Sequence, residues 1–276
     1  MSYFDCWQSK EHAHLFEYRD YFPSFRLASV YANFNEFNLF RNFISPGFQG
    51  TLLEIGCATG ASYRFFKRFF KDIKYTGVDI SQCALIQAHL KYPQGSFIQV
   101  DSELTQLTDK KFDYVFCRDV ILHQEKPLEF LSKIKFFCKK GIFLRLRTRD
   151  RGVTEFDVVK SCQLNYGIWA PYIIINSDEL ITHFKKMSGC SKIVLIKNYM
   201  VLGGVHSRYL PKDCYLPETG TSETSVYVEF NDVEAQEPIV IVKTLKDAFS
   251  FSLFDRLINK GIQLLTGGRI KSKIWW

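Results

Sequence analysis

The chain has 276 residues, a formal net charge of +7 and 16% aromatic residues, with 26 phenylalanines. That is length and apolar content for one large domain with additions, and it excludes a disordered chain. The charge is uneven. Asp213 to Glu237 carries seven acids and no Lys or Arg, whereas Lys243 to Trp276 carries seven bases and two acids. The body is only mildly basic, so nucleic-acid binding is not expected from charge. The eight cysteines are dispersed without a C-x-x-C pair, which points to a reducing compartment and to neither a disulfide framework nor a zinc site. The opening MSYFDCWQSKEHAH has no apolar signal core, and no stretch reaches membrane-spanning length. The expected location is cytoplasmic.

In chain order, residues 1–45 read as one or two helices. Phe34, Phe37, Phe40 and Phe43 recur at helical spacing, and Pro46-Gly47 ends the segment. Thr51 to Ala61, TLLEIGCATGA, is the stretch around which the rest of the chain is organised. Leu52, Leu53 and Ile55 form a short strand run interrupted by Glu54. Gly56 to Gly60 is a turn of small residues, and from Ser62 the spacing becomes helical. Strand, Gly-rich turn and helix open a nucleotide-binding βαβ unit. A second strand ends at Asp79, about 20 residues after the turn, where such folds bind ribose hydroxyls. A third ends at Asp101, a fourth is Phe112 to Val120, and a fifth is Gly141 to Arg147. Helices are expected over Ala61–Phe70, Ser81–Leu90 with a Ser N-cap, and Leu128–Cys138 with Pro127 in the first turn.

After the fourth strand, Asp119 and His123 stand four apart and share a face if the piece is helical. His123 reads either as a hydrogen-bonding packing residue or as a general base. Two ligands without a third make a weak metal site, and no metal is expected. In the fifth strand Arg145, Arg147 and Arg149 alternate with Leu144 and Leu146. Charge rarely enters a core, so these arginines are expected where the strand leaves the sheet, at a pocket mouth. They suit either an anionic acceptor or a solvated edge paired with Asp150, Glu155 and Asp157. Gly152 to Ile175 is a long connection carrying Tyr166, Trp169 and Tyr172, either a substrate wall or a satellite core. A helix is expected from Asn176 through Met187, then a sixth strand over Lys192–Tyr199. The loop of 201–224 holds His206 and Arg208 as candidates for a second wall. Ser225–Phe230 is an antiparallel seventh strand, and Pro238–Val242 an extra edge strand.

With E-x-G-x-A-x-G at Glu54–Gly60, the acid of VDIS, the QVD of the third strand and FDYVFCRDVILH, the chain resembles the class I S-adenosylmethionine (SAM)-dependent methyltransferases. The resemblance covers roughly Thr51 to Tyr199 and, more loosely, the strand near Val226. Ala58 stands where the family more often has glycine, a change tolerated if φ is negative there. The resemblance implies an α/β, doubly wound, seven-stranded sheet with SAM as cofactor. It places Glu54, Gly56, Cys57, Ala58 and Gly60 at the methionine end, Asp79 and Ile80 at the ribose, and Asp101 and Ser102 at the adenine, with Arg118 added to the cofactor set. Three regions are expected: an N-terminal cap at 1–45, the SAM-binding domain at 46–242 with substrate walls at 152–176 and 201–224, and an amphipathic basic tail at 243–276.

The expected reaction is methyl transfer to an oxygen, ahead of nitrogen, of a small anionic metabolite such as a sugar or nucleotide-sugar. His123 is the candidate base, and Arg145, Arg147, Tyr166, Trp169 and His206 are the substrate candidates. The alternatives are an RNA or protein methyltransferase, or an inactive methyltransferase-like binding protein. The tail is a candidate for peripheral membrane or homodimer contact.

Overall fold

The computed structural model describes residues 2–13, 34–199, 208–231 and 237–245. Its centre is a mixed sheet built on β1 (Thr51–Ile55), β2 (Lys74–Asp79), β3 (Ser96–Gln99), β4 (Phe112–Arg118) and β5 (Cys138–Arg149). These five run parallel in the order β3-β2-β1-β4-β5. The chain reverses between β1 and β4, so the C-terminal ends of β1 and β4 open a crevice at the switch point. The antiparallel strand β11 (Ser222–Phe230) lies between β5 and β9 (Cys190–Tyr199), as expected for a seventh strand. The extra edge strand is present as β12 (Ile239–Leu245), parallel to β9. The short β8 (Ile175–Asn176) adds to the end of β5.

Alternation along the strands divides the core into two layers. Leu53, Val115, Ile142 and Leu144 face α4 (Pro127–Phe137) and α5 (Ser177–Lys185), against Phe130, Leu131, Ile134, Leu180 and Phe184. Leu52, Phe116 and Phe143 face the opposite layer of α1 (Asn35–Phe43), α2 (Ala61–Phe69) and α3 (Gln82–Lys91). Phenylalanine is the commonest residue of this layer. The Phe37 ring centre lies 4.6 Å from that of Phe65, edge to face, and 4.8 Å from that of Phe116, and Phe40 lies 4.7 Å from Phe143. Each buried ring contributes about 1.5–3 kcal/mol by removal from water, which fixes α1 across β5 and β11.

The helix starts are set by their caps. Ser81 accepts a hydrogen bond from the Ala84 N–H at 3.3 Å, and Asn176 from the Asp178 and Glu179 N–H groups. Pro127 occupies the first turn of α4, where its missing N–H costs nothing. All eight cysteines are free thiols, packed as small apolar side chains except for the half-buried Cys83.

The connection after β5 is ordered into strands. β6 (Cys162–Asn165) and β7 (Ile168–Pro171) form a hairpin, and β10 (Arg208–Tyr209) joins it as a three-stranded antiparallel sheet. Under it Leu122, Tyr172, Ile174, Leu210 and Cys214 form a satellite core. The N-terminal 3₁₀ turn Tyr3–Gln8 sits beside this small sheet through Trp7. No helix among the described residues is long and apolar enough to cross a membrane. The tail expected at 243–276 lies outside the described residues from 246 onward.

Candidate active site

The Gly-rich turn is held by main-chain bonds. The N–H groups of Gly56 and Cys57 both donate to the Val78 carbonyl, at 2.8 and 3.0 Å, which stitches the turn to the neighbouring strand. Gly56 has φ +78, and a Cβ there would meet the Val120 Cγ2 at 2.3 Å. Gly60 has φ +75 and caps α2 without a side chain. Ala58 is a correction to the sequence reading, because it too is left-handed, at φ +47. Its N–H donates to Asp79 Oδ2 at 2.8 Å, and that bond holds the residue in the strained region.

The two acids of this half form no ion pair among the described residues and are held by hydroxyls and main-chain N–H groups. Glu54 is buried and accepts from the hydroxyls of Ser62 and Tyr75. Burial pushes its carboxyl up to about 7, against those hydrogen bonds. The side chain faces α2 and β2, beneath the turn. Asp79 is also buried, which raises its pKa, while the N–H groups of Ser81 and Ala58 oppose the shift. Asp79 Oδ2 accepts the Ala58 N–H and Oδ1 the Ser81 N–H, with the Ile80 N–H also directed at the carboxylate.

Beyond Asp79 lies a cleft of about 450 Å³ at the ends of β2 and β3. Ile80 and Val100 give it apolar walls, and Asp101, Ser102 and Gln106 give it polar edges. The fourth side is the N-terminal turn, through Phe4 and Gln8. Asp101 is exposed and accepts from Thr105 and Gln106, and these bonds, Thr105 first, hold its pKa down. The cleft begins at Ile80, the residue after Asp79, and combines apolar walls with polar edges. Cys57 is buried, so only its main chain faces the turn.

The second half is a cluster of buried charge. The arginines of β5 are not at an open mouth, which corrects the expectation for Arg145 and Arg147. β11 pairs with β5 as far as Thr148, so the arginines stay inside the sheet. Arg145 is 1% exposed, and Arg147 and Arg149 are also buried. Acids from elsewhere in the chain neutralise them. Glu223 of β11 lies 2.7 Å from Arg145 and 2.9 Å from Arg147, and Asp119 lies 3.3 Å from Arg145. Arg118 pairs with Glu36 of α1 at 2.7 Å, and Arg149 pairs with Asp213. The expected local partners Asp150, Glu155 and Asp157 are not those partners; Asp150 instead pairs with Lys197. Burial would raise the pKa of Asp119, but Arg145, Arg118 and Arg147 outweigh it and hold the carboxyl low.

His123 sits at the edge of this cluster. The expected helix through Asp119 and His123 is absent, because Asp119 is left-handed at φ +56 and His123 ends a 3₁₀ turn, Ile121–His123. His123 Nδ1 lies 2.8 Å from the Pro171 carbonyl, which can only accept, so Nδ1 carries the proton and Nε2 the lone pair. The ring is 4.5 Å from Trp7 and 5.8 Å from Tyr172. Burial pushes its pKa down to about 4, with Arg208 and Arg147 adding to the shift and the Pro171 bond and Asp119 opposing it.

Tyr166, left-handed in the β6–β7 turn, stands 5.7 Å from His12, whereas Trp169 lies on the outer face of β7, half exposed. His206 lies outside the described residues. Sequence reasoning missed Glu36, Glu223, Trp7 and His12. Glu36 carried one usable signal, an acid inside an otherwise phenylalanine-spaced helix. The other three are joined to the site only by the fold.

Residues 53–145 match the family described as Methyltransferase domain. Over 120 residues the chain is 32% identical to the tRNA U34 carboxymethyltransferase of Campylobacter jejuni, covering 40% of this chain and 38% of that protein. It is 28% identical over 99 residues to the thiol S-methyltransferase TMT1B of Rattus norvegicus, covering 33% of this chain and 39% of that one. The matches thus span well under half the length of these curated relatives. Among solved structures, Haemonchus contortus phosphoethanolamine N-methyltransferase 2 shares the fold, with a TM-score of 0.56 at 14% identity over 84% of this chain and 61% of that one. The parallel order β3-β2-β1-β4-β5, the antiparallel β11, the turn between Glu54 and Gly60 and the family match agree, and the chain carries a class I SAM-dependent methyltransferase domain.

Proposed function

We propose that the domain methylates an oxygen, ahead of nitrogen, of a small anionic metabolite, with His123 as general base. The observation that supports this most is the tautomer of His123. Its Nδ1–H is tied to the Pro171 carbonyl, which leaves Nε2 as the one ring nitrogen able to take a proton. SAM, when bound, supplies a sulfonium methyl that needs alignment more than activation. An alcohol also has to lose its proton, and this is the work of His123. With a pKa near 4 the ring is neutral at pH 7. A base of that strength takes the proton only as the new C–O bond forms and the hydroxyl becomes acidic. Asp119 faces the imidazolium that results and stabilises it. Trp7 and Tyr172 pack against the ring and cover part of it.

On the cofactor side the residues in place are the Gly56–Gly60 turn for the methionine end, Asp79 for the ribose, and the cleft of Ile80, Val100, Asp101 and Ser102 for the adenine. Calorimetry with SAM and S-adenosylhomocysteine on the wild type and Asp79→Ala tests this half. Binding should be clear in the wild type and lost in the variant. A folded wild type that binds neither overturns the reading. A screen of sugar phosphates and nucleotide-sugars with labelled SAM tests the acceptor half, and His123→Gln should abolish turnover without weakening cofactor binding.

An RNA acceptor is the second reading, favoured by the tRNA activity for which the Campylobacter relatives are named. Strong, salt-dependent binding to tRNA in a filter assay would move the assignment there.

A further inference from the structure

The strand arginines cannot supply the attraction that an anionic acceptor needs. Arg118, Arg145 and Arg147 are matched one for one by Glu36, Asp119 and Glu223, and Arg149 is matched by Asp213. An anion arriving there meets a cluster of zero net charge whose arginines Arg145 and Arg147 are buried in the sheet.

Arg208 differs from all four. It stands on β10, directly opposite Gln163 in the register of the small sheet. Its Nε donates to Gln163 Oε1 at 3.0 Å. Its guanidinium carbon lies 4.6 Å from the centre of the Tyr172 ring, and the same ring lies 5.8 Å from His123. No carboxylate pairs with Arg208 among the described residues. The side chain is half-buried, so it is held in place yet reachable. Nε is engaged by Gln163 and the guanidinium carbon lies over the Tyr172 ring, while no hydrogen bond among the described residues takes up the two terminal nitrogens. The planar guanidinium fork matches the paired oxygens of a phosphate or carboxylate. Arg208 is also close enough to His123 for its charge to be felt there.

We propose that Arg208 is the acceptor-recognising cation of the site, and that it takes an oxyanion of the acceptor across Tyr172 from His123. This rests on the methyltransferase reading, and it moves the recognition role from Arg145 and Arg147 to the small sheet. The two ring distances keep the Arg208 guanidinium carbon within about 10 Å of the His123 ring centre, so the methylated atom and the anionic group belong to one small molecule.

The test is calorimetric titration of inorganic phosphate and, separately, acetate into wild type, Arg208→Gln and Arg208→Lys, each with and without S-adenosylhomocysteine. The wild type should bind one of the two anions, and which one separates a phosphate from a carboxylate acceptor. Arg208→Gln should weaken that binding by about tenfold or more, as expected for loss of a charged hydrogen bond. Arg208→Lys should fall between the two, and it carries the test if the glutamine variant does not fold. Affinity for S-adenosylhomocysteine should be the same in all three. Equal anion binding in all three, or none in the wild type, overturns the proposal. If the anion contrast is absent while S-adenosylhomocysteine binds, Arg208 alone is misassigned. If the contrast holds and S-adenosylhomocysteine does not bind, the oxyanion site stands and the methyltransferase reading falls.

Discussion

The two halves of the crevice hold their acids by different means. On the side proposed for the cofactor, Glu54 and Asp79 are buried among hydroxyls and main-chain N–H groups, and burial raises both pKa values. On the side proposed for the acceptor, Asp119 is held low among arginines despite its burial. The first half is a local construction, in which Asp79 bonds to residues 21 positions back and two positions on. The second is assembled from distant parts of the chain, from Glu36 in α1 to Glu223 in β11. The cofactor half should therefore tolerate a lost carboxylate with a change in binding, and the acceptor half should answer the same change by losing stability.

The largest effect is expected at Glu223, which serves Arg145 and Arg147 together. Glu223→Ala leaves two buried guanidinium groups short of a counter-charge, and removing one partner of such a pair costs about 3–5 kcal/mol. Urea unfolding would measure it. A loss under about 1 kcal/mol would show that the cluster reorganises and that the contrast between the halves is not one of stability.

Next comes the turn itself. Gly56→Ala adds a methyl at φ +78 that meets Val120 at 2.3 Å. Left-handed strain and overpacking each cost about 1–3 kcal/mol, and the turn must shift to relieve them. S-adenosylhomocysteine binding should fall by more than about tenfold in calorimetry, since a displaced main chain loses a hydrogen bond or two to the ligand.

The contrast between local and long-range construction also explains what could be read from the sequence. The strands, the Gly-rich turn, Asp79 and the caps at Ser81 and Asn176 depend on neighbours within a few positions or on one βαβ unit, and their signals are written side by side. The arginines of β5 were visible as an alternating set, but their surroundings were not. Whether a charge on a strand faces solvent or a buried acid depends on which strand pairs next to it, and Glu223 sits 76 positions beyond Arg147. Ala58 failed for a different reason. Composition identifies a tight turn, but the sign of φ at one alanine is set by the Asp79 bond.

A smaller effect separates the halves through pH. Glu54 has its pKa raised from 4.5 to about 7, so the stability it contributes is present below pH 4.5 and is lost as pH rises to about 7. His123 has its pKa lowered from 6.5 to about 4, so its contribution is present above pH 6.5 and is lost as pH falls to about 4. The two slopes oppose each other across one window. In Glu54→Gln, stability should climb more steeply from pH 4.5 to 7 than in the wild type, with a difference on the order of 2 kcal/mol across the window. In His123→Gln, the dependence should tilt the other way. Urea midpoints taken every half pH unit would show both, and parallel curves for all three proteins would mean that neither group is coupled to folding.

The smallest expected change is a gain. Ala58 is left-handed at φ +47, where an L-residue with a Cβ pays about 1–2 kcal/mol. Ala58→Gly removes that strain. It also frees the unfolded chain, and the added entropy takes back about 0.4–1 kcal/mol. The net stabilisation should be about 0.5–1 kcal/mol, or about 1–4 °C in Tm for a domain of this size. The Asp79 bond to the main-chain N–H of residue 58 needs no side chain, so S-adenosylhomocysteine affinity should not change. A Tm that falls would mean that the methyl of Ala58 packs against something worth more than the strain it carries. An unchanged Tm with weaker binding would mean that the strained turn is preorganised for the ligand, and that the alanine holds a shape which glycine lets go.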